Sequence, residues 1–157
     1  MMPSGNALEK MTYNQEIKAL LLSCDLPVAD LQQDNRVCFF GIRHEGSLLG
    51  VIGVEVCGDF GLLRSLAIAS SHRNKGLGKR LVSFAEKWAM QVELKALYLL
   101  TTEADSFFGR LGYERWPRSA APSRITETPQ FSTLCPDAAI FMHKGLGISP
   151  RSNESVQ

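Results

Sequence analysis

The stretch Leu66-Ala67-Ile68-Ala69-Ser70-Ser71-His72-Arg73-Asn74-Lys75-Gly76-Leu77-Gly78-Lys79-Arg80-Leu81 decides the reading of this chain. Leu66 to Ile68 ends an apolar run, a basic turn with two glycines follows, and the hydrophobic period then changes from two to 3.6. From there Leu77, Leu81, Phe84, Ala85, Trp88, Ala89 and Val92 predict one helical stripe, with Lys79, Arg80, Lys87 and Gln91 off it. The first amides of a helix have no partner within it, and the helix dipole adds partial positive charge at that end. A strand, a glycine-bearing turn and a helix start therefore suit a phosphate. Gly76 and Gly78 allow close backbone approach, and Arg73, Lys75 and Lys79 add full charges. A plainer reading also fits the loop in isolation: a glycine turn that starts a helix, with its basic residues in solvent. The stretch lacks the Gly-x₄-Gly-Lys-Ser/Thr pattern of a nucleotide loop and the third glycine of a dinucleotide fingerprint.

Upstream, Ile17, Leu20 and Leu21 predict a helix over 15–22, with a further turn over 28–33 after Pro27. Residues 37–42, 48–56 and 62–69 read as three strands joined by turns at 44–47 and 58–61, an antiparallel meander. The second is apolar almost throughout and so buried on both faces. Downstream, 96–101 is a strand. Thr102 is the expected cap of a helix over 103–111, which Gly112 ends. The strand, long helix and strand form a βαβ unit, which makes 62–69 and 96–101 parallel. A helical turn over 123–128 and a last strand over 138–143 complete the pattern. Residues 1–144 read as a single domain and 145–157 as a disordered polar tail.

Composition bounds the function. The chain has 157 residues, 45% of them hydrophobic and 21% charged, in the ordinary range of a globular domain. A net charge of +1 argues against nucleic acid as a partner. No apolar run approaches the roughly 18 residues of a membrane span. The start MMPSGNALEKM has no signal-peptide core, so a cytoplasmic protein is expected. The four cysteines, Cys24, Cys38, Cys57 and Cys135, lack zinc-site spacing, and no metal is expected. In a reducing compartment they are free thiols, which usually pack as small apolar residues.

Arg73-Asn-Lys-Gly76-Leu-Gly78 after the Leu66-Ala67-Ile68 strand resembles the acetyl-coenzyme A motif (Arg/Gln-x-x-Gly-x-Gly/Ala) of the GNAT superfamily of N-acetyltransferases. Ala104-Asp-Ser-Phe107-Phe108-Gly-Arg110-Leu-Gly112-Tyr113 is similar to that superfamily's Ala-x-x-Phe-Tyr-x-Lys-x-Gly-Phe segment. The resemblance covers roughly residues 12–144. It implies an α+β fold: a central mixed, mostly antiparallel sheet with a splayed parallel pair, flanked by helices. It also implies acetyl-CoA as co-substrate. The backbone of Leu66, Ala67 and Ile68 would pair with the pantetheine arm in the cleft opened by the splay. Arg73, Asn74, Lys75, Gly76, Leu77, Gly78 and Lys79 would hold the pyrophosphate. Thr101 stands where many members have an asparagine that touches the arm, and Ala104, Phe107 and Phe108 would line its far side. Phe108 departs from the pattern, because many members carry there a tyrosine that protonates the leaving thiolate. Tyr98 and Tyr113 are the other phenols considered for that role, without support from spacing.

The attacking amine must lose a proton, and Glu55 and, through a water, Ser65 are the candidate catalytic groups. The alternative for Glu55 is an ion pair with Arg64 across the 57–63 hairpin, and both roles are compatible. Leu62-Leu-Arg64-Ser65-Leu66-Ala67, Leu97-Tyr98-Leu-Leu-Thr101-Thr102 and Phe131-Ser-Thr-Leu-Cys135-Pro136 together resemble small acetyltransferases of bacterial arsenic-resistance operons. That likeness implies a small-molecule amine as partner, an amino-acid-like arsenical or an antibiotic. Arg64 would bind an acidic group and Cys135 would lie near the acceptor, unless Cys135 is only a packed thiol. Acetylation of a protein lysine or N-terminus is the alternative among enzymes. A thiol-based arsenical-binding or acetyl-CoA-sensing protein on the same scaffold is the alternative outside them. A homodimer is compatible with the sequence.

Overall fold

The computed structural model describes residues 7–26, 28–29, 31, 37–129, 131–132 and 139–147. In chain order the elements are β1 (Ala7–Met11), α1 (Gln15–Ser23), β2 (Val37–His44), β3 (Ser47–Cys57), β4 (Phe60–Ile68), α2 (Leu77–Gln91), β5 (Ala96–Thr101), α3 (Asp105–Arg110), β6 (Glu114–Arg115), α4 (Ser123–Thr126) and β7 (Ile140–Gly145). The strands form one mixed sheet in the order β1-β2-β3-β4-β5-β7-β6, with a single parallel pair and flanking helices. This is the expected α+β architecture. Contacts group the described residues into two compact units, taken in turn below.

The first unit comprises residues up to Val56 together with Leu63–Ala85. β1 pairs antiparallel with β2 from Ala7↔Arg43 to Met11↔Phe39. This strand is absent from the sequence reading, because its mostly exposed residues give no apolar alternation. β2 pairs with β3 from Val37↔Glu55 to His44↔Ser47. The turn between them places Glu45 (φ 52°) and Gly46 (φ 82°) both in the left-handed region. Such a two-residue turn matches the natural twist of a hairpin, so both strands run longer than expected. α1 starts at Asn14, whose side chain accepts from the Ile17 amide at 2.8 Å, and buries Ile17 and Leu21 one turn apart. These join Met11, Val37, Phe39, Leu48, Val51 and Ala67 in one core. Over 28–33, Leu31 closes a turn by donating to the Val28 carbonyl at 3.0 Å, and residues 30, 32 and 33 lie outside the described set. β3 is buried along nearly its whole length. A Cβ at Gly50 would lie 2.8 Å from Ile68 Cδ1 and 3.1 Å from Leu81 Cδ1, so this glycine allows the start of α2 to pack closely on the strand.

α2 buries Leu77, Leu81, Val82, Ala85 and Ala89. Val92 corrects the expected stripe: the helix ends at Gln91, and Val92 is 46% exposed.

The second unit comprises Cys57–Leu62 and the residues from Glu86 onward. The turn after β3 is shorter than expected, so β4 already begins at Phe60. β5 pairs antiparallel with β7 from Ala96↔Gly145 to Thr101↔Ile140, and β6, a two-residue strand missed in the sequence, pairs Glu114↔His143 and Arg115↔Met142. Cys57, Leu62, Ala96, Tyr98, Ile125 and Phe141 form the core. β7 runs to Gly145, past the expected end. Leu146 is buried and its amide donates to the Lys95 carbonyl at 3.0 Å. Gly145 and Leu146 therefore belong to the fold, and residues 148–157 of the expected tail lie outside the described residues. No helix among the described residues is long and apolar enough to cross a membrane.

Candidate active site

Between β4 and α2 the chain makes a 3₁₀ turn at Ser70–His72 and then two left-handed residues, Asn74 (φ 65°) and Gly76 (φ 81°), on either side of Lys75. Backbone that changes hand in this way turns successive amides toward a common concavity, which suits an anion. Leu77 is buried and anchors the helix start, whereas Arg73, Asn74, Lys75, Gly76 and Lys79 are exposed and Gly78 is half-buried. A Cβ at Gly76 would meet nothing within 4 Å, so the side facing the missing side chain is open. These features fit a phosphate group held on main-chain amides. Arg73 is also a brace: its Nε donates to the Ile68 carbonyl at 3.1 Å and its Nη2 to Cys24 Sγ at 3.4 Å. The Cys24 thiol donates to the same Ile68 carbonyl at 3.7 Å. The sequence gives Cys24 no such link to the loop, because 49 residues separate it from Arg73.

Leu66 and Ile68 are half-buried and Ala67 is buried. Immediately before them lie Arg64 and Ser65, and Glu55 comes from β3. Arg64 Nη1 donates to Glu55 Oε1 at 3.1 Å, with both side chains fully out of solvent. The ion pair weighed from the sequence is present. Arg64 Nε donates to Ser65 Oγ at 3.2 Å. Ser65 has φ 59°, in the left-handed region that costs an ordinary L-residue roughly 1–2 kcal/mol. This bend in β4 is invisible in the sequence, since serine carries no preference for it.

In the second unit, Thr101 and Ala104 are half-buried, and Thr101 Oγ1 accepts from the Ala104 amide at 2.9 Å. Thr102 is not the cap expected of it: α3 begins at Asp105 behind Ala104, without a side-chain cap, and Thr101 closes the turn that precedes it, so the helix is shorter than predicted. Phe108 is buried and meets Phe107 and Tyr113 edge-on, with centroids 5.0 and 5.6 Å away. Tyr113 is buried, and its hydroxyl donates to Glu86 Oε2 at 2.8 Å. Lys144 Nζ donates to both Glu86 oxygens at 3.1 and 3.2 Å and to the Leu111 carbonyl at 2.8 Å. Burial first, and then the Glu86 charge, push the Tyr113 pKa far above its ordinary value. Burial also raises that of Tyr98, which packs among Phe60, Trp116, Phe141 and His143. His143 stacks on Trp116 with centroids 3.9 Å apart, and burial lowers its pKa against the opposing charge of Glu114. The Tyr113 hydroxyl proton is engaged with Glu86. Cys135 lies outside the described residues. Among the described residues no group of His, Cys, Asp and Glu could hold a metal ion.

A strand that ends in a basic, glycine-bearing turn, followed by a helix on an α+β sheet, defines the class of acyl-CoA-type N-acyltransferase folds. Solved structures share it. A putative acyl-CoA N-acyltransferase of Klebsiella pneumoniae superposes with a TM-score of 0.75 at 23% identity, covering 92% of this chain and all of that one. The N-acetylglutamate synthase of Neisseria gonorrhoeae, complexed with coenzyme A and N-acetyl-glutamate, gives 0.74 at 17% identity over 90% of this chain and 35% of its own. The uncharacterized N-acetyltransferase CT2212 of Chlorobaculum tepidum is 30% identical over 88 residues, 55% of this chain. The match spans only 56% of that relative's length. The model of the acetyltransferase (GNAT) family matches residues 8–113, and the chain belongs to that family.

Proposed function

We propose that the protein is an N-acetyltransferase that moves an acetyl group from acetyl-CoA to the primary amine of a small molecule by direct attack in a ternary complex. The single observation that carries this reading is the open, left-handed Asn74–Gly76 turn feeding the N-terminus of α2. On this reading the turn and Lys79 take the pyrophosphate, and the Leu66–Ile68 backbone takes the pantetheine arm. The amine nitrogen attacks the thioester carbonyl, the C–N bond forms, the C–S bond breaks and coenzyme A leaves as its thiolate. With phenylalanine at 108, water protonates that thiolate, whose thiol has a pKa of about 8.5. The nitrogen gives up two protons to water, one from the ammonium before it attacks and one after the C–N bond has formed. Glu55 is assigned to holding Arg64, because a general base must come within hydrogen-bond reach of the amine and its side chain has no exposed surface. The acceptor is read as amino-acid-like, the class implied by the resemblance to arsenic-resistance acetyltransferases.

A melting experiment tests the cofactor. Binding to the native state alone stabilises it by about 2.7 kcal/mol at a hundredfold excess over Kd. No shift at millimolar acetyl-CoA would remove the proposal.

A further inference from the structure

We propose that Arg64 is a positioning residue for acetyl transfer: held by Glu55, its guanidinium fixes the left-handed turn of Ser65 and so sets the course of β4 into Leu66–Ile68. The link to catalysis rests on the function proposed above, whereas the clamp itself does not. Successive side chains of a regular strand point to opposite faces, so Arg64 and Ser65 should not meet. They do meet, at 3.2 Å, because Ser65 leaves the extended conformation with φ 59°. One planar fork thus makes both contacts, Nη1 on Glu55 at 3.1 Å and Nε on Ser65. A lysine offers a point charge and no such fork.

The burial of this pair is informative. A fully buried ion pair often stabilises a fold no more than packed apolar residues of similar volume would, so its use here is geometric. The far end of the segment is fixed independently, since Arg73 and Cys24 both donate to the Ile68 carbonyl. Two arginines therefore bracket Leu66–Ile68, one inside the core and one at the surface. The surface arginine belongs to the basic loop already described. The buried one has no exposed side-chain area with which to reach a substrate, and it acts through the backbone of Ser65.

The test pairs Arg64→Lys with Ser65→Gly, because glycine adopts positive φ without a steric cost and should not need the clamp. Arg64→Lys should lower kcat by about 10- to 100-fold, the scale of a small misplacement of reacting groups. KM for acetyl-CoA should stay within about threefold. In the Ser65→Gly background the same change should lower kcat by less than about threefold, and it should also lose less stability, because the contact with Ser65 Oγ is already gone. Equal kcat losses in the two backgrounds would overturn the positioning role. A crystal structure of Arg64→Lys supplies a readout independent of activity, with Ser65 expected in an extended conformation. A positive φ retained at Ser65 would overturn the clamp. Should Arg64→Lys not fold, Glu55→Gln is read by the same two measurements. Absence of transfer by the unaltered protein would instead overturn the proposed function, and the φ of residue 65 would still decide the clamp.

Discussion

Tyr113→Phe separates stability from chemistry in the segment that most resembles the family pattern. The substitution removes one hydroxyl from a buried ring and leaves its edge-on contact with Phe108 in place. It deletes a 2.8 Å hydrogen bond to a carboxylate, and hydrogen bonds to charged groups contribute about 1.5–3 kcal/mol. Glu86 keeps Lys144 at 3.1 Å, so the lower end applies, about 1.5 kcal/mol. The pH dependence has a definite sign. The folded-state pKa of Tyr113 is raised above the unfolded value of about 10, so its contribution is full below that pH and is lost as pH rises above it. Urea unfolding at neutral pH should show the full gap between the two proteins, and at alkaline pH a smaller one. Turnover with acetyl-CoA should stay within about threefold, because a general acid would be worth about 10²–10⁴-fold. A neutral-pH loss below about 0.5 kcal/mol would refute the hydrogen-bond reasoning. A hundredfold loss of kcat would show that Tyr113, after all, protonates the thiolate.

Four further outcomes follow from the same geometry. Gly78→Glu should leave a folded protein that no longer binds acetyl-CoA, since its carboxylate enters the helix start and repels phosphate, and calorimetry checks this. Phe108→Tyr should change kcat by less than about threefold if thiolate release already relies on water, whereas a gain near the 10²-fold of a restored acid would contradict that. Glu55→Gln should lower kcat without displacing the pH–rate profile, and loss of the acidic limb would mark Glu55 as the base. Asn14→Ala should cost about 1 kcal/mol in urea unfolding by removing the α1 cap.

The parts legible in the sequence are those where periodicity or spacing follows from burial. β3 reads as a doubly buried strand because it is one. The α2 stripe reads correctly up to its last residue, and the nine-residue separation of Glu55 and Arg64 across a hairpin predicts their ion pair. What stayed hidden depends on backbone conformation or distant partners. β1 is held by its ladder with β2 and has mostly exposed side chains. The left-handed Ser65 has no compositional mark. Tyr113, Glu86 and Lys144 lie 27 and 58 residues apart in sequence and meet only through the fold. The head of α3 lies two residues beyond the expected cap Thr102, at Ala104, because Thr101 at the end of β5 takes the Ala104 amide and closes a turn first.

The proposed reaction is transfer of an acetyl group from acetyl-CoA to a small amine. Its most direct test follows thiol release from acetyl-CoA with a panel of amino-acid-like amines, including arsenical and antibiotic examples, and mass spectrometry of the products. Amine-dependent release is expected, with one acetylated amine per thiol and loss of both in Gly78→Glu. Binding of acetyl-CoA without transfer to any amine, peptide or protein acceptor would contradict it.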